Sequence, residues 1–468
     1  MNYLSLNFFI LFLFSFYLYW NVNNQYRRYI LLISSSIFYS LFSINYLFHL
    51  YFIILINYVL IKNIPKYSNR ILRIQILFNL LNLIFFKYFY FVLESLGVIF
   101  GLPYLSEKTE LNKHLSNLLS ISNFEIVLPA TISYYTFQFI SLGVDCKNKK
   151  LEPPSLFDLS SFILFFPIMI AGPVTRLVDF KNNFLKQNIT EESMRNGLWL
   201  ISMGLIKKVI LSDSISSIIF PVFAEPDKYS GFSLLLNSYF FAMNLYLDFS
   251  GLTDLARGMG ILFGYELPAN FKAPFFMNGF ADFWRRWHLS FSYWIRDYIY
   301  IPLGGSRVSE WRNYLNLIIT FSLGGLWHGA NFNYLFWGIL TGFFISIERF
   351  FEIRNLQFNN TKIKKFIYYI FVLHMYIITW NLFFTKNLSD AWFVISRIVL
   401  FSKGFTMPYI ETGIYVTILG ILYHLSEEHP DKFYVKEKYK KYLLPIFGLI
   451  FVLVILNSSN RDFFYGKY

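Results

Sequence analysis

Apolar runs long enough to cross a bilayer recur from one end of this 468-residue chain to the other. The hydrocarbon core of a membrane takes about 20 residues of helix to cross. Backbone polar groups inside it must be satisfied within the spanning element, which leaves helices and closed barrels. The stretches here are continuously apolar rather than alternating, so they are expected to be helices. Candidate spans lie at 3–20, 29–43, 45–61, 74–96, 124–143, 157–172, 196–222, 231–248, 313–328, 331–349, 366–385, 390–402, 409–425 and 442–457. Several are too short to cross upright, so the expectation is roughly eleven to thirteen crossings plus re-entrant or interfacial pieces. The fold class is therefore all-α and polytopic. With no duplicated halves, low-complexity tract or soluble segment, residues 1–468 form one membrane-embedded domain.

Composition narrows the functions. Charged residues make up 15% of the chain, against roughly a quarter in soluble proteins. The formal charge of +13 sits in short loops between spans, where it marks cytoplasmic connections rather than nucleic-acid binding. Arg27-Arg28, the stretch from Lys62 to Arg73 and Lys147–Lys150 alternate with less basic connections. This places the N-terminus on the extracytoplasmic side and those loops in the cytoplasm, as expected for a multi-pass protein of the cytoplasmic (inner) membrane. Met1–Trp20 has no basic residue before its apolar run and no small-residue cleavage site, so a retained first span is expected rather than a secretory signal. A single cysteine, Cys146, excludes an internal disulfide framework and cysteine-based metal centres. No metal site is expected.

The segment "FADFWRRWHLSFSYWIRDYIYIPLGGSR", Phe280 to Arg307, breaks the apolar pattern. Its spacing predicts a helix capped by Asp282 and beginning at Phe283. Trp284, Trp287, Phe291, Trp294 and Tyr298 fall on one stripe, Arg285, Ser292 and Arg296 flank it, and His288 lies at the boundary. One reading is an amphipathic helix at the lipid surface, with its tryptophans among the headgroups. The sharper reading has Arg285, Arg286 and Arg296 meeting a phosphate-bearing donor. His288 and Asp297 favour the second, because neither helps a helix lie on anionic lipid.

A second histidine, His328, stands between two apolar runs in "FSLGGLWHGANFNYLFWGILTG", flanked by Trp327 and Gly329 at an expected helix break. Ionisable groups at this depth are costly and usually line a cavity or serve a function, although a histidine bonded to a carbonyl is the plainer alternative. A neutral imidazole in a confined site suits a general base for a hydroxyl. Asp248 and Asp254, in "YLDFSGLTDLARGMGILFGYELPANFKAPF", are buried carboxylates that need partners. They are expected either to bond backbone at a helix break or to orient a catalytic group. "GMGILFG" lacks the strand–turn–helix setting of a dinucleotide site. His49, His374 and His424 read as packing or interhelical hydrogen bonds, and His114 and His429 sit among charges.

Together these stretches, with "SYYTFQ" (133–138) and "IAGPVTR" (170–176), resemble the membrane-bound O-acyltransferase family, most closely its bacterial alginate O-acetyltransferase branch. The resemblance covers about 133–342. It implies helices ringing a thinned centre with a tunnel, His328 as the catalytic histidine and His288 as a second functional one. It further implies that 280–307 forms the cytoplasm-facing wall where the acyl donor docks, with Trp284 and Trp287 among the docking residues. The expected reaction moves an acyl group, most simply acetyl, from a cytoplasmic thioester (acetyl-CoA or a phosphopantetheine acyl carrier, with no bound cofactor) to a hydroxyl outside. Trp327 or a backbone N–H would stabilise the oxyanion. The acceptor would be a polysaccharide or a partner protein, with a periplasmic acyltransferase partner completing the transfer. Teichoic acid D-alanyl transferases are similar around "DFWRRWH" and "LWHG", so D-alanyl transfer is an alternative. A non-enzymatic polysaccharide or lipid transporter would also account for the hydropathy, though it predicts repeated halves. A noncatalytic envelope scaffold predicts that both histidines are dispensable.

Overall fold

A computed structural model of the protein describes residues 3–448, apart from 68, 103–104, 106, 120–124, 182–188, 355–360, 434, 436–438, 441 and 446–447. The expected span at 442–457 lies largely outside the described residues. Among those described, the chain is helical, with one isolated bridge between Tyr229 and Phe405. Four helices are long and apolar enough to cross a membrane: Ile44–Lys66, Asn69–Phe100, Phe332–Ile353 and Lys362–Phe384. Other expected spans are helical but shorter or more polar. The stretch 157–172 breaks into Leu156–Ile163 and Phe166–Met169, and the one drawn at 124–143 is helical only from Ile132.

The centre is the helix Gly231–Leu262, nearly three times the length of an ordinary globular helix and buried along almost all of it. It packs against 191–224, Lys362–Thr379, Leu388–Val399 and Ile410–Glu428. Asp248 and Asp254 lie in its unbroken interior, which corrects the expectation of a helix break there. Their partners come from a π segment, Ile206–Ser212, set within 191–224. Lys208 Nζ lies 2.6 Å from Asp248 and Lys207 Nζ lies 2.5 Å from Asp254. Single buried charges at these positions would be prohibitive, and the lysines supply the compensating charge.

Hydrogen bonds and ion pairs at the helix ends mark two faces. On one face Trp20 Nε1 donates to the Leu262 carbonyl, Arg28 pairs with Asp158, and Tyr298 donates to Asp145. This is the face of the basic connections at 27–28 and 147–150. On the other face, Tyr39 and Tyr46 donate to the carbonyls of Ala130 and Val127, and Asn331 donates to the carbonyl of Lys386. The region between them is aromatic. A cluster including Phe137, Phe249, Phe283, Trp294, Trp337 and Trp380 fills the half of the core that contains the histidines.

Two helices are drawn unusually close there. A Cβ on Gly325 would stand 2.1 Å from the Tyr334 carbonyl oxygen, and one on Gly338 would stand 2.2 Å from that of Phe321. Only glycine lets Glu310–His328 and Phe332–Ile353 approach this closely. The approach fixes the end of the first helix, where His328 stands.

Candidate active site

His328 is the last residue of its helix; Gly329 continues in extended backbone at φ −165°, ψ 151°. The expected break beside His328 is therefore present. A helix end leaves carbonyls without intrahelical donors, and here the donors come from another helix. Tyr88 donates to Leu326 O at 2.6 Å, and Lys87 Nζ lies 2.5 Å from Trp327 O and 3.4 Å from His328 O. Both donors belong to, or close, the π segment Ile84–Tyr88. The His328 ring is walled by Phe291, Trp327, Trp337 and Phe383, with ring centroids 5.0–5.6 Å away.

His288 is held differently. The single helix expected from Phe283 onward is not formed. One short helix runs Phe280–Trp284, a second begins at Leu289, and His288 between them takes left-handed backbone at φ 45°, ψ 53°. Such a conformation in a non-glycine residue costs about 1–3 kcal/mol and persists only when its surroundings impose it. Asn270 imposes it here. Its backbone carbonyl accepts from Leu289 N at 2.9 Å, and its Oδ1 accepts from Ser290 N at 3.1 Å and Ser290 Oγ at 2.8 Å. The same Oδ1 lies 3.2 Å from His288 Nδ1.

That arrangement assigns the tautomer. Because Ser290 N–H can only donate, the Asn270 atom facing it is the oxygen, and His288 Nδ1 must carry the hydrogen. The second nitrogen, Nε2, then presents a lone pair. It is buried and has no hydrogen-bond partner among the described residues.

The two imidazoles share their walls. Phe291 lies 5.0 Å from His288 and 5.5 Å from His328, and Trp327 lies 6.1 Å and 5.0 Å from the same two rings. Phe137 stacks on Trp294 at 3.6 Å and on Trp327 at 5.2 Å, which extends the wall toward the basic face. On the other side, His328, Trp327 and Lys87 line a cavity of about 400 Å³ together with Phe42, Tyr46, residues 127–134, Ile170 and Phe383. That cavity lies at the face away from the basic connections. His328 meets it directly, whereas His288 lies behind Phe291 and Trp327.

The other expected site residues divide. Trp284 and Trp287 are 5% exposed and belong to the aromatic core, as do Phe291 and Trp294, so the lipid-surface placement of the tryptophans is corrected. Asp282 does not cap a helix starting at Phe283. The helix begins at Phe280, and the Glu348 carboxylate accepts from Phe280 N at 3.0 Å and Ala281 N at 2.7 Å. Asp282 instead pairs with Arg286, whose guanidinium also meets Glu428 at 2.7 Å. The hydrogen bond from Arg286 holds the Glu428 carboxyl below the usual glutamate range. Arg285 is exposed on the basic face, and Arg296 lies over the Tyr293 ring while pairing with Asp297. Asp297 also receives Arg176, of the "IAGPVTR" stretch. Trp327 directs its indole N–H toward Ser133 O at 3.5 Å. Asp248 and Asp254 are held in their lysine pairs.

Asn270, Lys87, Tyr88 and Glu348 escaped the sequence reading. Asn270 lies in a stretch noted for its resemblance, "PANFKAPF", but nothing in the spacing says that it reaches a residue 18 positions on. His49 and His374 make the expected interhelical bonds, to Asn82 and Tyr239. His424 is buried and bonds to Gly420 O within its own helix.

Comparison with known proteins bears on this geometry. The membrane-bound O-acyltransferase family matches residues 115–421. A probable alginate O-acetylase, AlgI, of Pseudomonas aeruginosa is 33% identical over 386 residues, covering 80% of this chain and 70% of that protein. A peptidoglycan O-acetyltransferase of Helicobacter pylori is 31% identical over 402 residues, covering 79% and 73%. A teichoic acid D-alanyltransferase of Bacillus subtilis is 30% identical over 238 residues, covering 48% and 60%. With apolar helices of bilayer-crossing length and a family match over most of its length, the chain belongs to the membrane-bound O-acyltransferase family.

Proposed function

We propose that the protein transfers an acetyl group from a cytoplasmic thioester, acetyl-CoA or a phosphopantetheine carrier, to a hydroxyl on the far side of the inner membrane. The observation that carries this reading is the shared wall. One histidine lines a cavity opening away from the basic connections, the other sits behind the same two rings, and no more than an aromatic layer separates them. In this reading the basic connections face the cytoplasm and the N-terminus lies outside.

The acceptor hydroxyl enters the cavity and meets His328. Its oxygen attacks the thioester carbonyl, forming the new C–O bond as the C–S bond breaks. His328 takes the hydroxyl proton and returns it to the departing thiolate. General-base assistance of this kind is worth about 10²–10⁴ in rate. Nε2 of His288 accepts a hydrogen bond from the donor's side, with the amide N–H groups of a pantetheine arm as suitable partners. Arg285 and Arg296 attract the donor's phosphates at the basic face, while Arg286 spends its charge on Asp282 and Glu428. Asp248, Asp254 and Asp297 act through structure, each neutralised by a cation. The indole N–H of Trp327, turning from its long contact to Ser133 O, or a nearby backbone N–H meets the developing oxyanion. The dried aromatic chamber strengthens each of these interactions.

Acetyl is favoured over D-alanyl because the O-acetylating relatives align over about four-fifths of the chain, whereas the D-alanyl transferase aligns over 48%. The acceptor is an extracytoplasmic polysaccharide or a partner protein that passes the group on. Donor competition tests this. Protein in liposomes would receive labelled acetyl-CoA or a labelled D-alanyl carrier protein, with envelope polysaccharide inside. Acetyl label on glycan supports the reading, and label from D-alanyl alone refutes it. Acetylation of the final polymer by the isolated protein would remove the need for a partner.

A further inference from the structure

We propose that Lys87 is a positioning residue for the acyl transfer: its ammonium clamps the backbone carbonyls of Trp327 and His328 and thereby sets where the His328 imidazole stands. The inference rests on His328 being the proton carrier, as argued above. Its own evidence is geometric. The helix Glu310–His328 runs straight into an extended Gly329, so the left-handed turn that commonly closes a helix end with its own N–H groups is absent. The carbonyls of Leu326, Trp327 and His328 are met instead by consecutive side chains of a different helix, Tyr88 on the first and Lys87 on the other two.

The clamp is a built feature in three respects. Lys87 and Tyr88 lie in and just at the close of the π segment Ile84–Tyr88, and irregular turns of this kind recur at functional sites. Lys87 makes a third contact, to Ser133 Oγ at 3.2 Å, on the stretch that forms the cavity's other wall. A cation at a helix C-terminus also faces the negative end of the helix dipole, so the contact is favourable beyond its hydrogen bonds. Lys87 therefore ties three parts of the cavity together: its own helix, the 127–134 wall and the peptide that carries His328. All three ammonium contacts lie within the protein, which makes the residue a brace for the imidazole and not a binder of substrate.

A misplacement of about 1 Å at a reacting group can cost 10²-fold in rate. Lys87→Met is therefore expected to lower kcat about 100-fold and leave KM for acetyl-CoA within about threefold of wild type. Two readouts separate positioning from mere folding. Ethylammonium added to Lys87→Ala should restore part of kcat, and should do nothing for His328→Ala. Carbethoxylation of His328 by diethyl pyrocarbonate, followed by peptide mass spectrometry, should change in rate in Lys87→Met, and this readout needs no catalysis. If Lys87→Met does not remain monodisperse, Lys87→Arg carries the test, with a loss of about tenfold expected from its different reach. Wild-type kcat in Lys87→Met or Lys87→Arg would overturn the inference. So would a loss of activity with His328 reactivity unchanged and no ethylammonium rescue. Full activity in His328→Ala would refute the proposed function instead, and the carbethoxylation rates would still decide whether Lys87 positions the ring.

Discussion

Removing the amide at Asn270 should disable His288 without touching it. In Asn270→Ala the backbone carbonyl contact to Leu289 N can persist, but the Oδ1 acceptor is lost. Two buried donors then have no partner, Ser290 N–H and His288 Nδ1–H, while the Ser290 hydroxyl can rotate to another acceptor. An orphaned buried donor costs about 1–3 kcal/mol, so the pair costs roughly 2–6 kcal/mol. A further 1–3 kcal/mol is stored in the left-handed His288 backbone, and with its restraint gone the loop relaxes by releasing that strain. The imidazole then leaves the shared wall, and its tautomer is no longer fixed. Turnover should fall about 10²-fold, the loss that misplacing a bound donor by about 1 Å can cause, with a lowered Tm in detergent. The assay is acetyl transfer to glycan at saturating acetyl-CoA, alongside a thermal melt. Full turnover in a protein with a lowered Tm would refute the argument, because it would show that the Asn270–His288 contact serves folding alone.

Other consequences can be checked separately. Gly338→Val would drive side-chain atoms into the Phe321 carbonyl, separating the two closely packed helices, and should lower Tm by the equivalent of about 1–3 kcal/mol as well as activity. Arg285→Ala should raise KM for acetyl-CoA several-fold with kcat nearly unchanged, and equal KM values would remove Arg285 from donor capture. The Glu428 carboxyl is held below its usual range by Arg286, so the stability it lends is present above the unfolded value of about 4.3 and is lost as pH falls through the lower folded value. Wild-type Tm should therefore fall more steeply in acid than that of Glu428→Gln. Parallel profiles would show that the pair does not tie the end of helix Ile410–Glu428 to the 270–288 stretch.

Much of the scaffold was legible because apolar runs have few ways to fold. The basic connections at 27–28 and 147–150 share a face, and His328 stands at a helix break beside a glycine. The segment 280–307 shows where reading by pattern fails. Its aromatic residues keep helical spacing straight through His288, yet the chain turns there because Asn270, distant in sequence, supplies the hydrogen bonds that a left-handed histidine needs. The stripe was real but faced the core, since the same large rings that would anchor a helix in headgroups also fill an aromatic interior. Lys87 gave no signal at all. A lone lysine in "LIFFKYFYF" reads as a charge reaching for the membrane edge, and only the fold shows the end of another helix beside it. Asp248 and Asp254 announced a need for partners without naming them; Lys207 and Lys208 reach them through a π segment that sequence periodicity does not reveal.

The central claim is that acetyl crosses the chain at His328, and sided label transfer tests it most directly. Wild type and His328→Ala would be placed in liposomes, with radiolabelled acetyl-CoA outside and acceptor glycan inside, and vesicles with outward-facing donor sites selected by orientation. Label on the enclosed glycan with wild type, and none with a His328→Ala protein of unchanged melting profile, is the predicted result. Equal labelling by both proteins would contradict it and take the histidine out of the reaction.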